Sequence, residues 1–341
     1  MPFAAPFAVA LAAALVLTPL AIRIAWATGY LDHPEARKLH VAATPLLGGA
    51  AVFVAALAGW GTSRLLLPAV GPPQALQLLG GALIALLLGL WDDRHGMDPR
   101  LKLAGQATAA AVVLSIGFRL PFGFPPAVDF FLGLVALVGL MNAVNFLDNV
   151  NGMVAGLAAI TFTAFAAHSI SRGALGVGAA QLALAGGCAG FLRYNFPKAA
   201  IFLGDAGSLF LGYSLGASAV LASAHAPAGW AQLGPLLLLA YPAFDLIFVV
   251  VNRLREGRPI YVGGKDHSNH RLASVLQCPK RTVILVWCST AALCASGLVV
   301  LWLNRPLPAL LLSGLWMVLF LLSGLRLSSV PIAPSPSPRP Q

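Results

Sequence analysis

Between Pro2 and Arg23 the chain carries no charged residue, and runs of this kind return along its whole length. Each approaches the ~20 residues that a helix needs to cross a bilayer. Charged residues make up 9% of the 341 and apolar residues 59%, whereas a soluble domain has about 25% charged. So few charges cannot build a soluble surface. A disordered chain or a coiled coil also needs many more polar residues. The expected fold class is an all-α polytopic membrane protein.

Eleven spans are expected, near 3–22, 46–61, 74–91, 103–118, 129–147, 153–170, 175–193, 205–224, 230–251, 282–303 and 307–325, with ten as the alternative count. No basic residue precedes the first run, which therefore reads as a span with its N-terminus outside rather than a cleaved leader. Residues 1–327 form a single integral-membrane catalytic domain, and 328–341 form a disordered Pro/Ser-rich cytoplasmic tail. With this topology, seventeen Lys and Arg fall inside and four outside, which sets the C-terminus inside. The same topology puts ten of the eleven acids at the cytoplasmic face, Asp129 being the exception. Topology does not require acids there, so a metal-dependent site facing the cytosol is the expectation.

The net charge of +10 does not indicate nucleic-acid binding, because the basic residues sit in short loops rather than in a patch with aromatics. Cys188, Cys278, Cys288 and Cys294 lack metal-ligand spacing and read as small hydrophobes.

Five polar segments interrupt the apolar pattern. The first holds Asp32, Glu35, Arg37, Lys38 and His40, followed by Thr44-Pro45-Leu46-Leu47-Gly48-Gly49; alone it reads as a charged loop. The second is Trp91-Asp92-Asp93-Arg94 with Asp98, Arg100 and Lys102. Adjacent carboxylates at a membrane boundary are tolerable beside a divalent cation or a base, although a helix-ending acidic turn is an equal reading. At most one of Asp92 and Asp93 is expected to point into a site. In the third, Asn142, Asn145 and Asp148 recur every three residues, so one helix face could carry them, with Asn149 and Asn151 beyond. Interhelical hydrogen bonding is the plainer explanation, but four amides and an acid exceed what it needs. The fourth is Gly204-Asp205-Ala206-Gly207-Ser208, where Asp205 suits a helix N-cap or a cation held beside a phosphate. The fifth is the loop with Arg253, Arg255 and Arg258, then Asp266-His267-Ser268-Asn269-His270-Arg271. Asp245 lies in the membrane register, where either a functional acid or an ion pair with a loop arginine is expected.

Together and in this order, the segments resemble the polyprenyl-phosphate N-acetylhexosamine-1-phosphate transferase superfamily over roughly residues 30–275. The resemblance implies a Mg²⁺-dependent phosphoglycosyltransferase, with Mn²⁺ as the alternative cation. It would move N-acetylhexosamine-1-phosphate, GlcNAc-1-phosphate first, from a UDP-N-acetylhexosamine to undecaprenyl or another polyprenyl phosphate, releasing UMP. By resemblance, Asp205, Asn145 and Asp148 form the metal set, and Asp92, Asp93, Asp148, His267 and His270 the catalytic set. Lys38, His40, Lys102, Asn142, Asn145, Asn149, Asn151 and Arg271 would contact substrate. The implied location is the inner (plasma) membrane, multi-pass, with the active site facing the cytoplasm; a homodimer is left open. Two departures stand out. Asn151 replaces a second acid common in bacterial members, and the peptidoglycan-precursor branch has three consecutive histidines where this chain has one at 267 and one at 270. The alternatives are a phospho-MurNAc-pentapeptide transferase-type enzyme or a transporter or flippase, which would place ionisable residues near the bilayer midplane.

Overall fold

The computed structural model describes residues 4–33, 43–66, 73–115, 124–259, 264 and 266–331; Lys38, His40 and the last ten residues lie outside this set. Helix α1 spans Ala4–Thr28, α2 Gly48–Leu66, α3 Pro73–His95, α4 Pro99–Leu114, α5 Pro126–Leu147, α6 Met153–Ser171, α7 Leu175–Asn195 and α8 Gly204–His225. A 3-10 turn at Trp230–Leu233 leads into α9, Gly234–Leu238, and α10, Ala240–Arg255. Then follow α11, Ser268–Leu276, α12, Pro279–Leu303, and α13, Pro306–Ser328. Strands β1, Leu31–Asp32, and β2, Thr44–Pro45, pair antiparallel with Leu31 opposite Pro45.

The protein is an all-α polytopic membrane protein, as an apolar chain must be when its backbone amides can bond only within their own segment. Within the described residues, the eleven expected stretches overlap α1–α8, the α9–α10 pair, α12 and α13. Among the described residues, eight helices are long and apolar enough to cross a membrane alone. The stretch Trp230–Arg255 adds a ninth if its halves, bent by 70°, count as one. The apolar part of α2 is shorter, and α4 has 16 residues with Arg100 and Lys102 in its first turn. Tryptophans mark both ends of the bundle: Trp26 and Trp91 are exposed toward one, Trp230 and Trp302 toward the other.

Helix α8 is the axis, almost wholly enclosed, while α13 shows nearly all of its apolar surface, including Leu307, Leu311 and Leu321. The enclosure of α8 follows from its small residues, which let backbones approach closely without a hydrophobic drive between helices. A Cβ at Gly49 in α2 would lie 2.2 Å from the Gly207 nitrogen, and one at Gly89 in α3 would lie 2.3 Å from the Ala206 nitrogen. The first turn of α8 is therefore gripped from two sides by backbone.

The loops at this end are stitched to that grip. Phe202 N–H donates to Pro45 O at 2.8 Å, Gly48 N–H to Phe202 O at 3.1 Å and Gly49 N–H to Leu203 O at 2.9 Å. Tyr30 Oη–H donates to Leu90 O at 2.7 Å, tying the end of α1 to α3.

Helix α13 runs to Ser328, and the carbonyls of Leu327, Ser328 and Val330 accept from Arg271 at 3.0–3.1 Å. A guanidinium capping a helix C-terminus is favoured by the orphan carbonyls there.

Gly89→Ala has no room against the α8 backbone. It should lower the thermal midpoint of the detergent-purified protein by the equivalent of about 1–3 kcal/mol. Gly80→Ala, in the same helix with open space around it, should leave the midpoint unchanged or slightly raised.

Candidate active site

Acids crowd the end of the bundle where α3, α5 and α10 finish and α4, α8 and α11 begin. Helix α4 starts there because Asp98 accepts from Arg100 N–H at 2.8 Å and Pro99 fits the first helical position. That start sets Lys102 within the first turn, beside the ends of α3 and α8. Its ammonium lies 2.7 Å from Asp92 Oδ2 and 2.5 Å from Asp205 Oδ2. Asp205 Oδ1 accepts from Asn145 Nδ2 at 2.8 Å, and the same amide reaches Ser208 Oγ at 2.8 Å.

Asp93 has a different role. Its Oδ1 accepts from Asp205 N–H at 2.8 Å and its Oδ2 from Ala206 N–H at 3.0 Å. A carboxylate from α3 thus caps the N-terminus of α8, where unpaired amides and the helix dipole both favour negative charge. Gly204 makes room for it. At φ +71° it holds a conformation side chains rarely adopt, and a Cβ there would meet Asp93 Oδ2 at 2.5 Å. Two expectations are corrected here. Both Asp92 and Asp93 reach the cluster, since Lys102 comes to one and the α8 amides to the other. Asp205 is not the cap, so its carboxylate remains available to Lys102 and Asn145.

Asp148 stands just past α5, and among the described residues no hydrogen-bond donor reaches its carboxylate. Burial, then the charges of Asp205 and Asp93, push its pKa well above the usual carboxylate range. One ammonium faces several acids. A divalent cation needs only one or two carboxylates, and it would supply the missing charge. Among the described residues no three such ligands already surround one point. Yet Asp92 and Asp205 oxygens already converge on one cation, the Lys102 ammonium, and the oxygen donors of Asp205, Asn145 and Asp148 are of the kind Mg²⁺ or Mn²⁺ takes.

The other predicted residues divide. Asn142 pairs with Gln106 of α4, donating at 2.8 Å and accepting at 3.3 Å, so its amide is engaged between helices. Asn149 Oδ1 accepts from Asn269 Nδ2 at 2.8 Å, and Asn151 Nδ2 donates to Pro197 O at 3.4 Å. His267 lies against Phe146, ring centroids 5.9 Å apart, and His270 is 6.2 Å from His267. Arg271, expected to contact substrate, is buried, stacked over Phe248 and bonded to the α13 carbonyls. The loop before it is braced by Asp266, which takes Arg253 at 2.8 and 2.7 Å and Arg258 at 2.9 Å. Those hydrogen bonds hold its carboxyl down at about 2 against the opposing effect of burial. Sequence reasoning missed Ser208, Gln106 and Ser268. The first two were legible in part, as Ser208 is one turn from Asp205 and Gln106 one turn from Lys102.

Asp93→Asn loses one of two acceptors and should lower the thermal midpoint by the equivalent of about 1–3 kcal/mol. Asp92→Asn, which removes no backbone partner, should leave it nearly unchanged. A carboxyl with a raised folded pKa is stabilising while protonated and costs stability as pH rises through that pKa. Without added cation, the midpoint of the unsubstituted protein should therefore fall relative to Asp148→Asn as pH increases from about 4 to 8. Thermal scans across that range check both statements.

The profile described as Glycosyl transferase family 4 matches residues 75–223, which contain the Asp92–Asp93, Lys102, Asn145–Asp148 and Asp205 segments. A Bacillus subtilis protein named "Probable undecaprenyl-phosphate N-acetylglucosaminyl 1-phosphate transferase" is 31% identical over 290 residues, covering 82% of this chain and 80% of its own. The decaprenyl-phosphate N-acetylglucosaminephosphotransferase of Mycolicibacterium smegmatis is 34% identical, covering 79% and 73%. A phospho-N-acetylmuramoyl-pentapeptide-transferase of Desulforamulus reducens is 35% identical, covering 63% and 71%. With an acidic site of this composition at one end of a helical membrane bundle, and relatives of this reach, the chain belongs to glycosyl transferase family 4, within the superfamily of polyprenyl-phosphate sugar-phosphate transferases.

Proposed function

We propose that the protein transfers N-acetylhexosamine-1-phosphate, GlcNAc-1-phosphate first among donors, from a UDP-sugar to undecaprenyl or another polyprenyl phosphate, releasing UMP. The observation that carries this reading is the convergence of Asp92, Asp205 and Lys102 at the gripped N-terminus of α8, with Asp148 beside them. The relatives named for that activity support it. In this reading the site faces the cytoplasm of the inner (plasma) membrane, an orientation that the distribution of Lys and Arg supports.

An oxygen of the lipid phosphate attacks the sugar-linked phosphorus of the donor. The new P–O bond forms as the bond to the bridging oxygen breaks, and that oxygen leaves with UMP. Such a reaction needs alignment and relief of charge more than covalent help. Bound Mg²⁺ supplies charge neutralisation on the phosphoryl oxygens, and Asp205, Asn145 and Asp148 are the residues that would hold it. Asn145 keeps Asp205 aimed by its 2.8 Å hydrogen bond. Lys102, once relieved of its carboxylates, is within reach of the diphosphate. Asp92 would take the proton from whatever lipid phosphate still carries one; the phosphate is mostly ionised at neutral pH, with a second pKa near ~6, so this is a small demand. Polar residues gathered at one end of the bundle favour an enzyme over a transporter, whose ionisable groups would line the midplane.

Full-length protein in detergent should release UMP from UDP-GlcNAc when polyprenyl phosphate and Mg²⁺ are present. Asp205→Asn should reduce the rate by a factor on the order of 100 or more. If no donor in a UDP-HexNAc panel yields UMP, the reading is wrong; if only UDP-MurNAc-pentapeptide does, the pentapeptide-transferase alternative takes its place.

A further inference from the structure

Asp245 is an acid that the transfer reaction, as described, does not use. It lies in α10 and is only 1% exposed. The loop arginines do not neutralise it, because Arg253 and Arg258 are engaged by Asp266. Instead three donors address its two oxygens. His267 Nδ1 is 2.7 Å from Oδ2, while Ser268 N–H and Ser268 Oγ–H lie 2.8 and 2.5 Å from Oδ1. Tyr241 Oη is 3.3 Å from Ser268 Oγ. Since the serine proton goes to Asp245, Tyr241 is the donor of that pair.

The arrangement has two consequences. Ser268 is the first residue of α11, so Asp245 holds that helix start from another element, as Asp93 holds α8. The carboxylate is also an acceptor only, so the proton of the His267 ring must reside on Nδ1. Nε2 is then the open nitrogen, and it has no hydrogen-bond partner among the described residues. The ring packs beside Phe146, and the neighbouring Asn269 reaches Asn149. Both partners flank Asp148 in the sequence, on the side of the acidic cluster.

We propose that Asp245 is a positioning residue that fixes His267 in the Nδ1–H tautomer and presents Nε2 to the substrate. This deepens the transfer reading and, for its kinetic part, rests on it. In Asp245→Asn one amide oxygen can still accept from Ser268, but the amide N–H must donate to His267 Nδ1, which drives the ring proton to Nε2.

The tautomer is read directly by ¹⁵N NMR of histidine-labelled full-length protein, at a pH where the ring is neutral, with His267→Gln identifying the signal. The unsubstituted protein should show Nδ1–H and Asp245→Asn should show Nε2–H. An Nε2–H ring in the unsubstituted protein overturns the proposal, and this reading needs no activity. In the UMP-release assay, Asp245→Asn should lower kcat on the order of 10- to 100-fold, with KM for the UDP-sugar within about threefold. Asp245→Asn combined with His267→Gln should be no slower than His267→Gln alone. Rate losses that multiply contradict a role exerted through His267. Absence of UMP release from the unsubstituted protein would reject the transfer reading while leaving the tautomer result to decide this one.

Discussion

Four N–H groups at the start of any helix lack intrahelical partners, and inside an apolar bundle water cannot supply them all. At the start of α8 Asp93 takes two of these amides. Gly49 and Gly89 let α2 and α3 close on the same turn, and Gly204 at positive φ leaves space for the carboxylate. Everything at the site follows from this join. The chain needs no side-chain cap from Asp205, which is therefore free to meet Lys102 and Asn145. The loops around residues 45–49 and 202–203 are bonded into the same knot. The Asp205 carboxylate is thus carried on packed backbone rather than on a loop, as the proposed transfer, which depends on alignment, would need.

The charge at the site is unbalanced by construction. Lys102 answers Asp92 and Asp205 but leaves Asp148 against its neighbours, with a raised pKa as the consequence. In a low-dielectric setting like charges this close resist full ionisation until a counter-charge arrives. In the proposed reaction a divalent cation would offset the acids, and the donor's diphosphate would give Lys102 a new anion.

Much of the fold was legible because the bilayer imposes a strong one-dimensional rule. Apolar run length located the helices before any motif was considered. Helical spacing put Asn142 and Asn145 in one row of α5, where Asn145 meets Asp205 and Asn142 meets Gln106 of α4, while Asp148 stands past the helix end. Spacing reports which residues share a face, not what the opposing helix offers. The trans caps were out of reach for the same reason: Asp93 and Ala206 are far apart in sequence, as are Asp245 and Ser268. Sequence also did not reveal that Arg271 meets the C-terminal carbonyls of α13, whose partial negative charge suits a guanidinium. Lys38 and His40 fall outside the described residues.

The central claim is that Asp205, presented by a helix start that Asp93 holds in place, anchors the cation of a phosphoryl-transfer site. Electron paramagnetic resonance of Mn²⁺ titrated into the full-length protein in detergent tests it without reference to turnover. The account predicts one saturable Mn²⁺ site that Mg²⁺ displaces, lost in Asp205→Asn and kept in Asp245→Asn. Saturable binding that survives Asp205→Asn unchanged would contradict it.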